Sequence, residues 1–420
     1  PALFDSQAAT LELMDSRSIA VGRTFDSVPE QITGFELSGQ AALLIEYHAN
    51  ETEQLRELEQ AGSKLLADLD LETPAAFTTD AAEAAKAWAF RKGLYAQVAE
   101  ARPSGTTALL EDIAVPVGDL ADTCGGLQQL FDAYGYDDAV IFGHAKDGNI
   151  HFLITDRFEG DDNLNRYDGF NEDMVDLVLG AGGNLKAEHG TGRNMAPYVE
   201  LEWGPEAYAL MWKIKRLLDP TGILNPDVVL SEDPDIHLKN LKPMPAADEI
   251  VDKCIECGFC EPVCPSNGLT LTPRQRIVIW RDIQARKRAG VDTTEIERLY
   301  HYHGVETCAA TGLCAQRCPV GINTGDLVRK LRGREASKTG TANWLADHFS
   351  TAVQGTRFML HAANGAHIIL GTKRLAKLSA TMTNASKGRV PQWTPATPQP
   401  LQRLHLPKPA VQDERPRVVY

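Results

Sequence analysis

The sequence predicts an α+β fold followed by a cysteine-rich, mainly helical segment, and three observations carry that prediction. Strand-like and helix-like stretches alternate over residues 1–230, an Asp147-Gly148 pair separates two apolar runs, and seven of the eight cysteines fall between Cys254 and Cys318. Asp-Gly between apolar runs is a strong hairpin signal. Hairpins argue for an antiparallel or mixed sheet with helices on one face rather than a doubly wound parallel sheet.

Residues 41–47 are an apolar strand leading into a Glu-rich helix over 51–69. The next strand, 112–117, runs into a helix over 118–134, whose Leu120, Leu127, Leu130 and Phe131 recur at helical spacing. Strands at 139–143 and 150–155 flank the Asp-Gly turn. A helix over 205–218 stops at Asp219-Pro220-Thr221-Gly222, after which Pro226, Pro234, Pro243 and Pro245 mark an irregular connection. The first domain is therefore expected to span 1–232. The cysteine-rich domain, 233–335, carries helical spacers at 273–290 and 294–302. Residues 336–420 read as a basic helical segment that ends in an extended linker from Trp393, with Pro395, Pro398, Pro400, Pro407 and Pro409.

A chain of 420 residues has room for two or three domains and excludes a small disulfide scaffold. Its apolar runs fall far short of the ~20 residues that cross a bilayer. The start, Pro1-Ala2-Leu3-Phe4-Asp5, shows no basic, apolar secretory pattern and no initiator Met. A cytoplasmic fragment, or one half of a split protein, is the expectation. The net charge of −15 divides into −25 over residues 1–329 and +10 over 330–420. Such an acidic body repels phosphates and speaks against a nucleic-acid partner. The basic tail either folds back onto that body or makes peripheral contact with an anionic inner membrane face.

Cys254, Cys257, Cys260 and Cys264, followed by Pro265, have the spacing of an iron–sulfur run in which three thiolates embrace one cubane and the fourth reaches a second cluster. Zinc sites instead use two separated pairs. The second run, Cys308, Cys314 and Cys318-Pro319, has one thiolate fewer, with Thr311 where a cysteine would complete the match. Interleaving gives Cys254, Cys257, Cys260 and Cys318 to a 4Fe-4S cluster. Cys264, Cys308 and Cys314 remain for a 3Fe-4S cluster, or for a second 4Fe-4S cluster with a non-cysteine ligand. Cys124 reads as an ordinary buried thiol. Both runs resemble the iron–sulfur subunit of succinate dehydrogenase and fumarate reductase, which implies a helical, ferredoxin-like electron wire.

His144 and His151 lie symmetrically about the Asp147-Gly148 turn. In a two-residue hairpin 144 pairs with 151, close enough for both imidazoles to converge on one ion or simply to stack. Glu188 and His189, in Lys186-Ala187-Glu188-His189-Gly190-Thr191-Gly192, offer an oxygen ligand and an adjacent base. Two histidines and a carboxylate hold catalytic zinc, manganese or iron. No GxGxxG fingerprint is present, which speaks against a nicotinamide cofactor.

The hairpin, the Glu188-His189-Gly190 segment and the stretch from Asp219 to Pro226 together resemble the C-terminal, substrate-binding half of FAD-linked D-2-hydroxyacid dehydrogenases, in the vanillyl-alcohol-oxidase flavoprotein superfamily. Fusion to a two-cluster domain is similar to the large iron–sulfur D-lactate dehydrogenases of bacteria. The resemblance implies His144, His151 and Glu188 as divalent-metal ligands, His189 as the active-site base, Arg91 as the grip on the substrate carboxylate and Asn225 as a residue facing FAD. It implies oxidation of a small D-2-hydroxy acid to the 2-keto acid, with electrons leaving FAD through the clusters to a quinone or another respiratory acceptor. The FAD-binding half would lie elsewhere, on the same or another chain. Leu153 stands where the D-2-hydroxyglutarate enzymes have an asparagine, and Glu111 lies near where they place a lysine, which removes polar grips for a second carboxylate and weakens the dicarboxylate reading; D-lactate is the substrate favoured over D-2-hydroxyglutarate and glycolate. The alternative is a non-catalytic electron-transfer subunit that docks a separate flavoprotein.

Overall fold

The computed structural model describes residue 3 and residues 6–25, 28–75, 77–335 and 339–399. Its elements begin β1 (Thr10–Met14), α1 (Ser16–Gly22), β2 (Ala42–Glu46), α2 (Thr52–Ala67) and α3 (Ala81–Ala101). They continue with β3 (Thr107–Ala114), α4 (Leu120–Tyr134), β4 (Val140–His144), β5 (Asn149–Asp156), α5 (Asp161–Gly180), α6 (Val199–Trp203) and α7 (Pro205–Leu218). The five strands form one sheet in the order β2-β1-β4-β5-β3, antiparallel throughout. β1, α3 and α5 lie outside the elements expected from the sequence, and the strand expected at 112–117 starts and ends earlier.

Helices cover both faces of the sheet, correcting the one-face expectation. Ile113, Ile141, Ile150 and Phe152 pack with Leu127 and Phe131 of α4 and Phe170 and Met174 of α5. On the other face Met14, Val140, Phe142 and Leu153 pack with Ile19 of α1 and Phe90, Leu94 and Val98 of α3. The cause is visible in β5, where apolar residues of both parities are buried, as Ile150, Phe152 and Ile154 on one face and Leu153 on the other.

The hairpin register also differs from expectation. His144 pairs with Asn149, and His151 pairs with Phe142. A 3₁₀ turn over Ala145–Asp147 and a left-handed Gly148 (φ 65°) occupy the connection, which lengthens the loop to four residues. Gly148 is held from outside the hairpin, since the Val115 N–H donates to its carbonyl at 2.9 Å. A Cβ at Gly148 would stand 1.9 Å from the Val115 oxygen. The shift relative to a two-residue loop is even, so both histidines keep the α3 face.

The cysteine-rich region holds α8 (Pro273–Arg288), α9 (Thr294–Tyr300), α10 (Leu313–Arg317) and α11 (Thr324–Glu335). Thr272 and Gln275 form a capping box at the start of α8, with Pro273 in its first turn. α9 widens into a π-helical turn, His301–Glu306, which runs past the helix end expected at 302. Val251, Ile277, Trp280, Ile283, Tyr300 and Leu327 form the core here.

Residues 1–333 make one compact unit and residues from Arg334 onward a second. The second contains α12 (Thr339–Asp347) and α13 (Phe349–Ala385), the latter kinked at Gly371 (φ 70°, ψ 166°). No Asp or Glu occurs in residues 348–399. Phe358, Met359, Ile368 and Ile369 are exposed. Among the described residues no helix is long and apolar enough to cross a membrane. Pro400, Pro407 and Pro409 of the expected linker lie outside the described residues.

Candidate functional site

Strand pairing assembles the site. Glu12 of β1 lies opposite His144 of β4, and Asp112 of β3 opposite His151 of β5. Cross-strand partners share a face, so two carboxylates and two imidazoles meet beside the apolar patch of Met14, Phe142 and Leu153. Arg91 reaches the same place from α3.

Each imidazole has a buried carboxylate behind it. His144 Nδ1 bonds Glu12 Oε1 at 2.8 Å, and Arg91 Nη2 pairs with Glu12 Oε2 at 2.8 Å. His151 Nδ1 faces Asp112 Oδ1 at 3.4 Å, an oxygen that also accepts from Asn149 Nδ2 at 2.8 Å. A carboxylate at Nδ1 fixes the ring so that the Nε2 lone pair points away from it, as in carboxylate–histidine–metal arrangements. Both Nε2 atoms face Glu188 Oε1, at 3.5 Å from His144 and 3.0 Å from His151.

Asp112 also builds the Glu188 segment. Its Oδ2 accepts the backbone N–H groups of Ala187, Glu188 and His189 at 3.0, 2.6 and 2.8 Å. That anchor sets the His189 ring parallel to His151, 4.9 Å away at 7°. His189 Nε2 is the third imidazole nitrogen facing Glu188 Oε1, at 3.6 Å. Two overlapping groups have ligand atoms within 4.8 Å of one another: His144, His151 and Glu188, and Asp112, His151 and His189.

Burial opposes ionisation of Asp112, but the bonds from His151 and from the Glu188 and His189 N–H groups hold its carboxyl well below the usual range. Burial likewise opposes Glu12, and His144 and Arg91 win there. The Glu12 bond raises His144. The two backing carboxylates are thus anions, as the donor set of a divalent cation requires.

Arg91 is buried against the Phe142 ring, its centre 4.9 Å from the ring centroid, and its Nε has no partner. Asn225 stands apart from the histidines in an exposed loop (φ 41°) after α7. That loop is closed by Asp219, which accepts the Ile223 and Leu224 N–H groups, and the Val229 N–H ties it to the site region by donating to Gly192 O at 2.7 Å. Leu153 is buried opposite Leu110. Glu111 is buried as well, paired with Lys186 and Asn194. Sequence reasoning missed the backing roles of Glu12 and Asp112.

In the second region Cys254, Cys257, Cys260 and Cys318 line one cavity with Ile277, Val320 and Ile322. Among the described residues, the groups of three ligands at single-ion spacing consist of histidines and carboxylates. Burial pushes the Cys260 thiol up to about 11, so ligation there at neutral pH is coupled to metal binding. Cys264 Sγ lies 3.7 Å from Nη1 of the buried Arg276, and Cys314 Sγ 3.7 Å from Asn323 Oδ1. Cys124 is a half-buried thiol, raised to about 12 by burial and then by Asp15, with no reactive character.

Comparison with known proteins agrees with this division of chemistry. The C-terminal domain of FAD linked oxidases matches residues 2–229, and the 4Fe-4S dicluster domain matches residues 250–322. Glycolate oxidase subunit GlcD of Bacillus subtilis is 28% identical over 226 residues, 54% of this chain and 46% of its own length. The mitochondrial D-lactate dehydrogenase [cytochrome] of Kluyveromyces lactis is 30% identical over 206 residues, 48% of this chain and 33% of its own. The corresponding Arabidopsis thaliana protein is 35% identical over 140 residues, 33% of this chain and 24% of its own. The chain spans less than half the length of these curated relatives.

Proposed function

Because this chain belongs to the FAD-linked oxidases, carrying their C-terminal domain joined to a 4Fe-4S dicluster domain, we propose that it is the substrate and electron-relay part of a D-2-hydroxyacid dehydrogenase. D-lactate is the favoured substrate over D-2-hydroxyglutarate and glycolate; against the dicarboxylate D-2-hydroxyglutarate, the buried apolar Leu153 and the Lys186-paired Glu111 offer no free polar grip for a second carboxylate. The FAD and the two clusters, when bound, would supply a route for electrons to a quinone or another respiratory acceptor. The reading divides the chain at residue 232 into a substrate module and a cluster module. It also takes the second unit, whose residues 348–399 carry no Asp or Glu, as a peripheral contact for the anionic inner face of the membrane from the cytoplasmic side.

The observation that carries it is one carboxylate oxygen, on Glu188, facing three imidazole nitrogens at 3.0 to 3.6 Å, two of them backed by buried carboxylates. His144, His151 and Glu188 hold the divalent ion in this reading. When bound, the ion supplies Lewis acidity toward the substrate hydroxyl, and the flavin supplies hydride acceptance. The protein's part is positioning and proton transfer. The unpartnered Nε edge of Arg91 binds the substrate carboxylate, with the guanidinium fixed by Glu12 and Phe142. His189 takes the hydroxyl proton at Nε2, held in place by its stack on His151 and by its backbone bond to Asp112. FAD would be held mainly by the FAD-binding half, and Asn225 is the residue of this chain that would face it. Cys254, Cys257, Cys260 and Cys318 hold the 4Fe-4S cluster; Cys264, Cys308 and Cys314 hold a 3Fe-4S or second 4Fe-4S cluster.

The test uses anaerobically purified chain mixed with an FAD-binding half, followed by electron paramagnetic resonance after addition of D-lactate, D-2-hydroxyglutarate or glycolate. The expected result is about seven irons with matching sulfide, cluster reduction by D-lactate first, and loss of that reduction in His189→Ala. Clusters reduced by dithionite but by none of the hydroxy acids would leave the non-catalytic electron-transfer subunit as the reading.

A further inference from the structure

The helix that carries Arg91 at the substrate site ends against the cluster loop. Arg102, immediately after α3 and about 16 Å further along at 1.5 Å per residue, is buried and turns its guanidinium into residues 252–254. Its Nη1 donates to Lys253 O at 3.2 Å, and its Nη2 to Asp252 O at 3.1 Å and Cys254 O at 2.8 Å. Arg281 of α8, also buried, approaches the same loop and donates to the same two carbonyls, Asp252 O at 3.0 Å and Cys254 O at 3.1 Å. Tyr95, between Arg91 and Arg102 on the helix, lies within electrostatic reach of the Cys257 thiol.

The charges do not balance within the protein. Arg281 pairs with Glu256 at 2.7 Å, and Glu256 is shared with Lys242. Arg102 has no carboxylate at ion-pair distance among the described residues, Asp252 acting on it only from further away, although two like charges converge on the same two carbonyls. Buried cations left this way are costly unless an anion lies close by. A cluster on four thiolates is such an anion, and it gains one further negative charge when reduced.

We propose that Arg102, a residue of the substrate module, is a positioning residue for the cluster on Cys254, Cys257, Cys260 and Cys318. It seats that cluster against α3 as the first electron acceptor on the substrate side, and its charge favours the reduced form. The cluster these thiolates would hold would take one electron from the reduced flavin of the FAD-binding half, which loses one, with no bond formed and no proton taken up by Arg102. Arg276, which reaches Cys264 and Ser266 instead, belongs to the other ligand set.

This inference rests on the reading that these cysteines hold a cluster, and the experiment separates the two. Full chain and the variants Arg102→Gln and Arg102→Lys are analysed for iron and sulfide, then titrated potentiometrically with the paramagnetic signals of both clusters followed. In Arg102→Gln the 4Fe-4S midpoint is expected to move negative by at least the 59 mV that corresponds to a tenfold change in a one-electron equilibrium. Arg102→Lys should restore most of that shift, and the second cluster should keep its potential. Selective loss of the 4Fe-4S signal in Arg102→Gln, with retention in Arg102→Lys, also supports a positioning role. An unchanged midpoint in an intact cluster overturns the inference alone, as does equal damage to both clusters in both variants. Absence of iron and sulfide from the wild-type chain overturns the inference and the underlying reading together.

Discussion

Asp112 shows how much one buried carboxylate can organise. It accepts three consecutive backbone N–H groups from the Glu188 segment while its other oxygen faces His151 and Asn149. Asparagine has the same shape but only one accepting oxygen, so Asp112→Asn forces an amide N–H toward donors and removes the charge behind His151. Losing a backing carboxylate typically costs ten- to a hundredfold in metal affinity. Asp112→Asn is therefore expected to retain its secondary structure by circular dichroism and to lose bound divalent ion on dialysis at concentrations where the wild type keeps it. Unchanged metal content would sink the assignment of Asp112 as the orienting group. The candidate donors are legible in the sequence because their signal is local: two histidines around one turn, Glu-His-Gly-Thr-Gly, cysteines at fixed gaps. Glu12 and Asp112 are not, because the first lies 132 residues from His144 and the second is joined to its loop 75 to 77 residues away. Only strand pairing makes them neighbours.

At the scale of elements, parity was legible and loop length was not. Asp-Gly marks the hairpin, but the tie between Val115 and Gly148 that selects a four-residue connection comes from the segment after β3. A comparison of two left-handed glycines tests this. Gly135 (φ 70°) has open space where a Cβ would go, whereas at Gly148 (φ 65°) the Cβ would collide with the Val115 carbonyl. Gly135→Ala should cost only the left-handed penalty of about 1–2 kcal/mol. Gly148→Ala adds a backbone collision that forces the loop to shift, and is expected to cost on the order of 3 kcal/mol or more. Denaturant unfolding of the two variants side by side measures the difference; equal costs would mean that the loop relaxes freely and that the Val115 tie does not set the register. The covering of both sheet faces was hidden for a related reason. Alternation within β4 and β5 is masked where residues of both parities are apolar, and α3 brings the second layer to the face that carries the histidines.

For the molecule as a whole, α7 raises the question of what covers it. Leu210, Ile214, Leu217 and Leu218 recur at helical spacing and are all more than half exposed, no residue of the helix is buried, and Ile223 and Leu224 extend the apolar surface into the loop that carries Asn225. Contiguous apolar surface of this kind marks a contact site rather than a solvated face. The proposed function points to the occupant: in that reading a flavin is the redox partner of the site, the relatives are more than twice as long as the region they share with this chain, and Asn225 lies in the loop that continues this surface. The FAD-binding half is accordingly expected to dock here. Ile214→Glu combined with Leu217→Glu places two charges in the centre of the face without touching any buried residue, so it should leave thermal unfolding, iron and divalent-metal content unchanged while weakening association with the FAD-binding half at least tenfold, about 1.4 kcal/mol. Co-elution titrated against salt would measure it, because an apolar contact persists at ionic strengths that screen charge attraction. Wild-type affinity in the double variant would move the docking surface elsewhere on the unit, and with it the path by which electrons reach α3 and the cluster loop.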